Sequence, residues 1–381
     1  MWSDFRFAFR TLLKSPAFAL TAIGALALGI GANTAIFSIV NGLLLHPSGI
    51  KEPDRVAAIR VKYDKLNLKS IGVSVPDFAD VRDSQQIFSA AAVSDERDFN
   101  YTGGEMPERL LGATVSWQWF RVFGVAPELG REFRREEDRQ GANQVVILSS
   151  RTWKRLFGGD RGIVGKTIEL NQQPYRVIGV MAPDFRWPQE ADLWVPLGLA
   201  PPAYSADNRF NENYFAAARI KAGVRFARAD AFVGLLKERL IRNYPRNTYI
   251  KNSGWGMFAV PLTEFMFGDL ETPLMILLGA VGFVLLIACS NIAGLMLARA
   301  SGRSRELAIR SALGAGQWRL IRQTLAESLL LAFAGTVLGI AAAYGGVRAL
   351  MALAPESLVN GQSIHLDSYV LLFTCAAGIL S

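Results

Sequence analysis

The chain has 381 residues, 51% of them hydrophobic, and its mean hydropathy of +0.22 is high for a water-soluble protein of this length. The net charge of +8 raises nucleic acid as a partner, but many of the cations stand beside apolar runs and no base-reading motif is present, which argues against it. The two cysteines, Cys289 and Cys375, lie inside apolar runs, and His46 and His365 lie at run borders. That usage excludes a disulfide framework in the polar region, a thiolate zinc cluster, and a Ser–His–Asp site within that region.

Residues 1–15 predict a cytoplasmic amphipathic helix. Arg6, Arg10 and Lys14 recur every four residues as one cationic stripe, and Trp2, Phe5, Phe9, Leu12 and Leu13 form the adjacent apolar face. Such a helix lies in the lipid headgroup plane; the plainer alternative is that the charges only signal topology.

Residues 16–45 form a first transmembrane span, free of charge and longer than the ~20 residues needed to cross the hydrocarbon layer. This length also argues against a signal peptide. Ala27, Gly31 and Ala35 place small residues at four-residue spacing, which lets helices approach closely in lipid. Asn33 and Asn41, and Asn291 in the second span, need polar partners inside a bundle.

Residues 46–271 read as one large soluble domain. Short β-rich runs at 55–61, 144–148, 175–181 and 193–197 alternate irregularly with helical patterns at 117–123, 150–157 and 227–243. The mixture predicts an α+β fold. The last helix carries Ala231, Leu235, Leu236 and Leu240, read as one side. A hairpin is expected around Asn171, with 167–170 as its first strand and Tyr175, Val177 and Ile178 on its second. Gly165-Lys166-Thr167 imitates the end of a phosphate-binding loop, but the first glycine of that motif is replaced by Asp160, whose carboxylate repels phosphate. Acids such as Asp80, Asp83, Glu136, Glu137 and Asp138 are read as a solvated surface and the tryptophans as core or interface, so no catalytic residue, cofactor or metal is expected.

A second span covers 272–298, a third 324–347, and a fourth begins at 368 and is still apolar at Ser381, as expected of a fragment of a longer protein. The segment 299–323 between the second and third spans holds six arginines (299, 303, 305, 310, 319 and 322) against Glu306 alone, whereas 348–367 has Arg348 and two acids, Glu356 and Asp367. Arginine-rich flanks stay in the cytoplasm. That puts the N-terminus and 299–323 inside, and 46–271 and the loop 348–367 outside, in a multi-pass protein of the cell (inner) membrane. The third span repeats the small-residue spacing at Gly335, Gly339 and Ala343. Glu327, one turn into it, is read as interfacial.

The segment Arg303, Arg305, Glu306, Ile309, Arg310, Ala312, Leu313, Gly314, Ala315 resembles the R-x-R-E-x-x-I-R-x-A-L-G-A signature of FtsX-like permeases, and 272–381 as a whole resembles their permease domain. The opening ALGIGANTAIFS at 27–38 is similar to the first span of MacB-like permeases, the duplicated orphan type above all. The stretches 116–133 and 164–185 resemble the MacB-like periplasmic core. The resemblance implies a transmembrane α-helical bundle with a large extracytoplasmic α+β domain, and the permease subunit of an ABC-type transporter. In such a subunit, Arg303, Arg305, Glu306, Ile309, Arg310, Leu313 and Gly314 dock on a cytoplasmic ABC ATPase. ATP hydrolysis there moves the outer domain for export, and the permease itself is no enzyme. It further implies a dimer or an intramolecular duplicate half, with membrane lipid around it. The alternative is a membrane-anchored extracytoplasmic ligand sensor or receptor.

Overall fold

The computed structural model describes residues 2–42, 49–104, 106–185, 187–188, 190–243, 252–302, 317–353 and 368–380. Contacts divide it into two units, one built of long helices and one built from residues between 49 and 268.

The helical unit contains α1 (Trp2–Leu13), α2 (Pro16–Val40), most of α7 (Leu262–Gly302), α8 (Gln317–Leu353) and α9 (Ser368–Leu380). Pro16 starts α2, where its missing N–H costs nothing. Three helical stretches are long and apolar enough to cross a membrane: Pro16–Val40, Leu262–Ala298 and Thr324–Ala349. The apolar stretch Val370–Ile379 of α9 is shorter. The helix carrying the third stretch is described from Gln317 onward.

The globular unit is one mixed sheet of eleven strands. Its first half comprises β1 (Val56–Tyr63), β2 (Leu68–Ile71), β3 (Phe88–Tyr101), β10 (Phe215–Ile220) and β11 (Trp255–Pro261). The order β11-β1-β10-β3 is antiparallel throughout. Helices α3 (Val75–Arg82) and α6 (Phe226–Asn243) connect β1 to β3 and β10 to β11, which makes a split βαβ unit of the β-α-β-β-α-β kind. Everything between β3 and β10 is inserted into it. The insertion supplies β4 (Glu108–Val115), α4 (Trp119–Phe123), β5 (Pro127–Gly130), β6 (Val145–Leu148), α5 (Ser150–Phe157), β7 (Thr167–Leu170), β8 (Gln173–Met181) and β9 (Leu193–Pro196). They extend the same sheet as β3-β4-β9-β6-β8-β5, with parallel pairs at β4–β9 and β6–β8.

Period-two alternation sorts the side chains into three cores. In β1, Ala57, Ile59 and Val61 face the core under α3 and α6, whereas Val56 and Ala58 join the core that holds Trp119, Phe120 and Phe123 of α4. In β6, Val145 and Ile147 join this α4 core, and Val146 and Leu148 enter a third core beneath α5. Trp119, Trp194 and Trp255 are fully buried.

The hairpin around Asn171 forms with Leu170 opposite Gln173, and both loop residues have positive φ (Asn171 50°, Gln172 62°). Two such residues match the twist of the flanking strands. The buried side of α6 differs from the expected one: Ala229, Val233, Leu236 and Leu240 enter the core, while Leu235 is 63% exposed and Ala231 is exposed too. Leu236 and Leu240 lie on both stripes, and the sheet selects the one continuing through Val233 and Ala229.

Candidate functional site

In the helical unit, α2 and α8 meet through residues that lack bulk. A Cβ added at Gly31 would lie 3.0 Å from the Gly339 carbonyl oxygen and 3.2 Å from Ala342 Cβ. One added at Gly335 would lie 2.6 Å from Leu26 Cβ. Further along, Ala35, Ala343 and Val347 form a small buried cluster, and Ala27 is buried as well. The structure thus brings Gly31, Ala35, Gly335, Gly339 and Ala343 into one interhelical seam, where glycine permits backbone approach without a hydrophobic gain from leaving water.

Polar groups bind α7 and α9 to α2. Asn33 Nδ2 donates to the Val281 carbonyl of α7 at 2.8 Å and to the Gly29 carbonyl of α2 at 2.9 Å. The hydroxyls of Thr34 and Thr374 lie 2.9 Å apart, joining α2 to α9, and Phe37 stacks on Phe373 at 4.2 Å. Asn41 is buried with a partner of its own. Asn291, by contrast, lies exposed on α7, and Glu327 is buried within the bundle.

In α1, Ala8, Thr11 and Leu12 are buried. Leu12 therefore packs in the bundle, whereas the sequence groups it with Phe9 and Leu13 on one apolar face. Arg6, Arg10 and Lys14 are exposed beside Phe9 and Leu13. Trp2 and Phe5 fall on the helix, but their side chains are outside the described residues. The predicted docking residues Arg303, Arg305, Glu306, Ile309, Arg310, Leu313 and Gly314 also lie outside them. The described residues contain no grouping of His, Cys, Asp and Glu able to hold a metal.

The globular unit holds buried charge that the sequence reading missed. Ser74 caps α3, its Oγ accepting from the Asp77 N–H and donating to Asp77 Oδ2 at 2.6 Å. Arg209 then reaches Asp77 at 2.6 Å and Asp80 at 2.8 Å. Burial pushes Asp77 up to about 6, although Ser74 and Arg209 both favour its charged form. Nearby, Glu212 accepts from Tyr63 Oη and Trp255 Nε1, each at 2.9 Å, and burial also raises it to about 6. Asp138 accepts the Trp117 and Gly198 N–H groups and is raised to about 6 by burial. Asp80 and Asp138 were thus misread as solvated surface. The Ser-x-x-Asp spacing at 74–77 is a helix-start signal that could have flagged Asp77; nothing in sequence links it to Arg209.

The imitation phosphate loop is closed off by its own aspartate. Asp160 Oδ1 accepts from Gly162 N–H at 2.8 Å, and Oδ2 pairs with Lys166 Nζ at 2.9 Å, so the lysine is already engaged.

Apolar helices of spanning length joined to a large α+β unit define a membrane protein with an extracytoplasmic domain. The model of the MacB-like periplasmic core domain matches residues 19–231, and that of the FtsX-like permease C-terminal domain matches residues 278–381. The chain belongs to the MacB/FtsX-like family of ABC transporter permeases. It is similar to the macrolide export ATP-binding/permease protein MacB of Hahella chejuensis, 26% identical over 70% of this chain and 39% of the relative. It is likewise similar to MacB 1 of Yersinia pestis, 27% identical over 60% of this chain and 34% of the relative. The chain thus spans little more than a third of the length of these relatives. Among solved structures, the periplasmic region of MacB from Actinobacillus actinomycetemcomitans is 17% identical, covering 62% of this chain and 97% of that one at a TM-score of 0.41. A domain of a putative permease protein from Porphyromonas gingivalis is 16% identical, covering 56% and 92% at a TM-score of 0.41.

Proposed function

We propose that the chain is the non-catalytic permease part of an ABC-type exporter, transmitting ATP hydrolysis by a cytoplasmic ATPase to its extracytoplasmic domain. Membership of the permease family supports the partner in general, and the names of the macrolide-export relatives support export as the outcome. The observation that carries the transmission is α7. It is continuous from Leu262, buried in the globular core, to Gly302, the residue before Arg303 of the docking signature. A helix tied to the moving domain at one end and to the arginine segment at the other can carry displacement between them. The cationic stripe of α1 rests on anionic lipid at the inner-membrane surface, and the small-residue seam holds α2 and α8 together while α7 shifts. The arginine segment and the N-terminus face the cytoplasm in this reading, and a second half, from another chain or a duplicated one, completes the assembly.

The test is affinity purification of the full chain from its own cells, with recovered ATP hydrolysis as readout. The wild-type chain retains an ATPase, and Arg303→Glu, Arg305→Glu and Arg310→Glu together remove it; equal recovery from both rejects the docking role. In the same cells, a cysteine at Arg161 reacts with an impermeant maleimide added outside and one at Arg305 does not. The reverse pattern inverts the topology and defeats the reading.

A further inference from the structure

A cavity of about 320 Å³ opens in the globular unit where the inserted lobe meets the split βαβ lobe. The βαβ lobe lends the C-terminal end of α3 with Arg82 and Asp83, the start of β3, and Lys221 just after β10. The insertion lends Trp117, Gln118 and Arg135. Small-molecule sites concentrate at such junctions and reach this size.

Its charges do not balance. Arg82 is matched by Asp83, with Nε 2.9 Å from Oδ1, and its guanidinium is held over the Phe78 and Tyr204 rings at 5.5 and 5.7 Å. Arg135 and Lys221 are exposed, and no described side chain pairs with either. The acids close in sequence are committed elsewhere. Glu132 binds Arg121, Glu137 binds Arg131, and Asp138 turns to the Trp117 and Gly198 N–H groups. Glu136, on the same turn as Arg135, is exposed and outside the cavity walls. Two positive charges therefore remain in a concavity whose walls focus their field. Trp117 adds an aromatic surface: its backbone N–H is held by Asp138, and its ring lies under the Arg121 guanidinium at 4.8 Å.

We propose that this cavity binds a doubly charged phosphate monoester, with the oxyanion between Arg135 and Lys221 and a flat apolar group of the ligand against Trp117. A planar guanidinium and an ammonium are the donors that phosphate oxygens take up most strongly, and a dianion matches the excess charge. The site follows from the cavity alone and does not depend on the permease reading. The same chemistry is available from a soluble ester or from a phosphatidic acid headgroup.

Calorimetry on the full chain in nanodiscs of zwitterionic lipid tests it, with phenyl phosphate, inorganic phosphate and phenol as probes. Phenyl phosphate binds more tightly than inorganic phosphate, and phenol does not bind. The double variant Arg135→Gln, Lys221→Gln weakens both phosphates at least about tenfold. Trp117→Leu removes the advantage of the phenyl group and leaves inorganic phosphate unchanged. Lys154→Gln with Arg161→Gln, which removes two exposed cations outside the cavity, has no effect. Competition by phosphatidic acid placed in the nanodisc assigns the lipid source, and its absence assigns the soluble ester. No phosphate binding by the wild-type chain, or equal losses in the two double variants, overturns the proposal.

Discussion

The two units solve the same packing problem with opposite materials. The core of the globular unit is built from bulk: Trp119, Phe120, Phe123, Phe185 and Trp194 interlock with ring centroids 4.8 to 5.8 Å apart. It also encloses charge, with Asp77 and Arg209 paired out of water. The seam between α2 and α8 is built from absence, Gly31 facing Gly339. On α7, large apolar side chains such as Phe283 and Ile287 are 69% and 60% exposed. Water drives large apolar groups together, so a soluble core gains from volume. Lipid gives no such drive between helices, so close backbone approach and a few hydrogen bonds hold them instead.

The contrast can be attacked at its charged end first. Arg209→Met leaves Asp77 buried without its cation, and removing one member of a buried pair costs about 3–5 kcal/mol. Chemical denaturation of the full chain, read by tryptophan fluorescence, measures the loss. Because Asp77 takes up a proton more readily once Arg209 is gone, the loss is larger at pH 8 than at pH 5. A loss that does not change with pH shows that the pair is not electrostatically coupled.

Next comes the seam. Gly339→Leu pushes a side chain toward the Gly31 nitrogen and Ile30, which already stand 3.2 Å from an added Cβ. Overpacking of this kind costs about 1–3 kcal/mol. Gly345→Leu, where nothing lies within 4 Å of an added Cβ, leaves the melting temperature in detergent nearly unchanged. Equal effects at the two sites erase the distinction between seam and lipid face.

The smallest effect concerns pH. Glu212 is raised by burial from an ordinary carboxylate value to about 6, so the folded state holds its proton more tightly than the unfolded chain. The stability this gives is complete at low pH and is lost as the pH rises through about 6. Glu212→Gln keeps one acceptor oxygen for Tyr63 and Trp255 but does not titrate. The variant therefore shows a flatter stability curve between pH 4.5 and 6.5 than the wild type. Parallel curves for the two proteins remove Glu212 from the pH response.

Much of this architecture was legible along the chain. The apolar runs and the glycine spacing are local patterns that act wherever the helices sit, and the Asn171 hairpin is fixed by its two loop residues. The three strongest misreadings share one cause. The stripe of α6, the inward turn of Leu12 and the Asp77–Arg209 pair each depend on what lies opposite, and sequence spacing does not state that. The βαβ plan was hidden in the same way, because the insertion carries β3 and β10 far apart in the chain before they pair, with Ala92 opposite Ala217.

The sequence alone determined which segments are apolar enough to prefer lipid and where turns must reverse the backbone, since each follows from the chemistry of neighbouring residues. Tertiary structure decided which face of each element is buried, which charges are paired, and that Arg135 and Lys221 share a cavity with Trp117. Those outcomes are set by contacts between residues distant in the chain, whose energies exist only once the sheet and the bundle have closed.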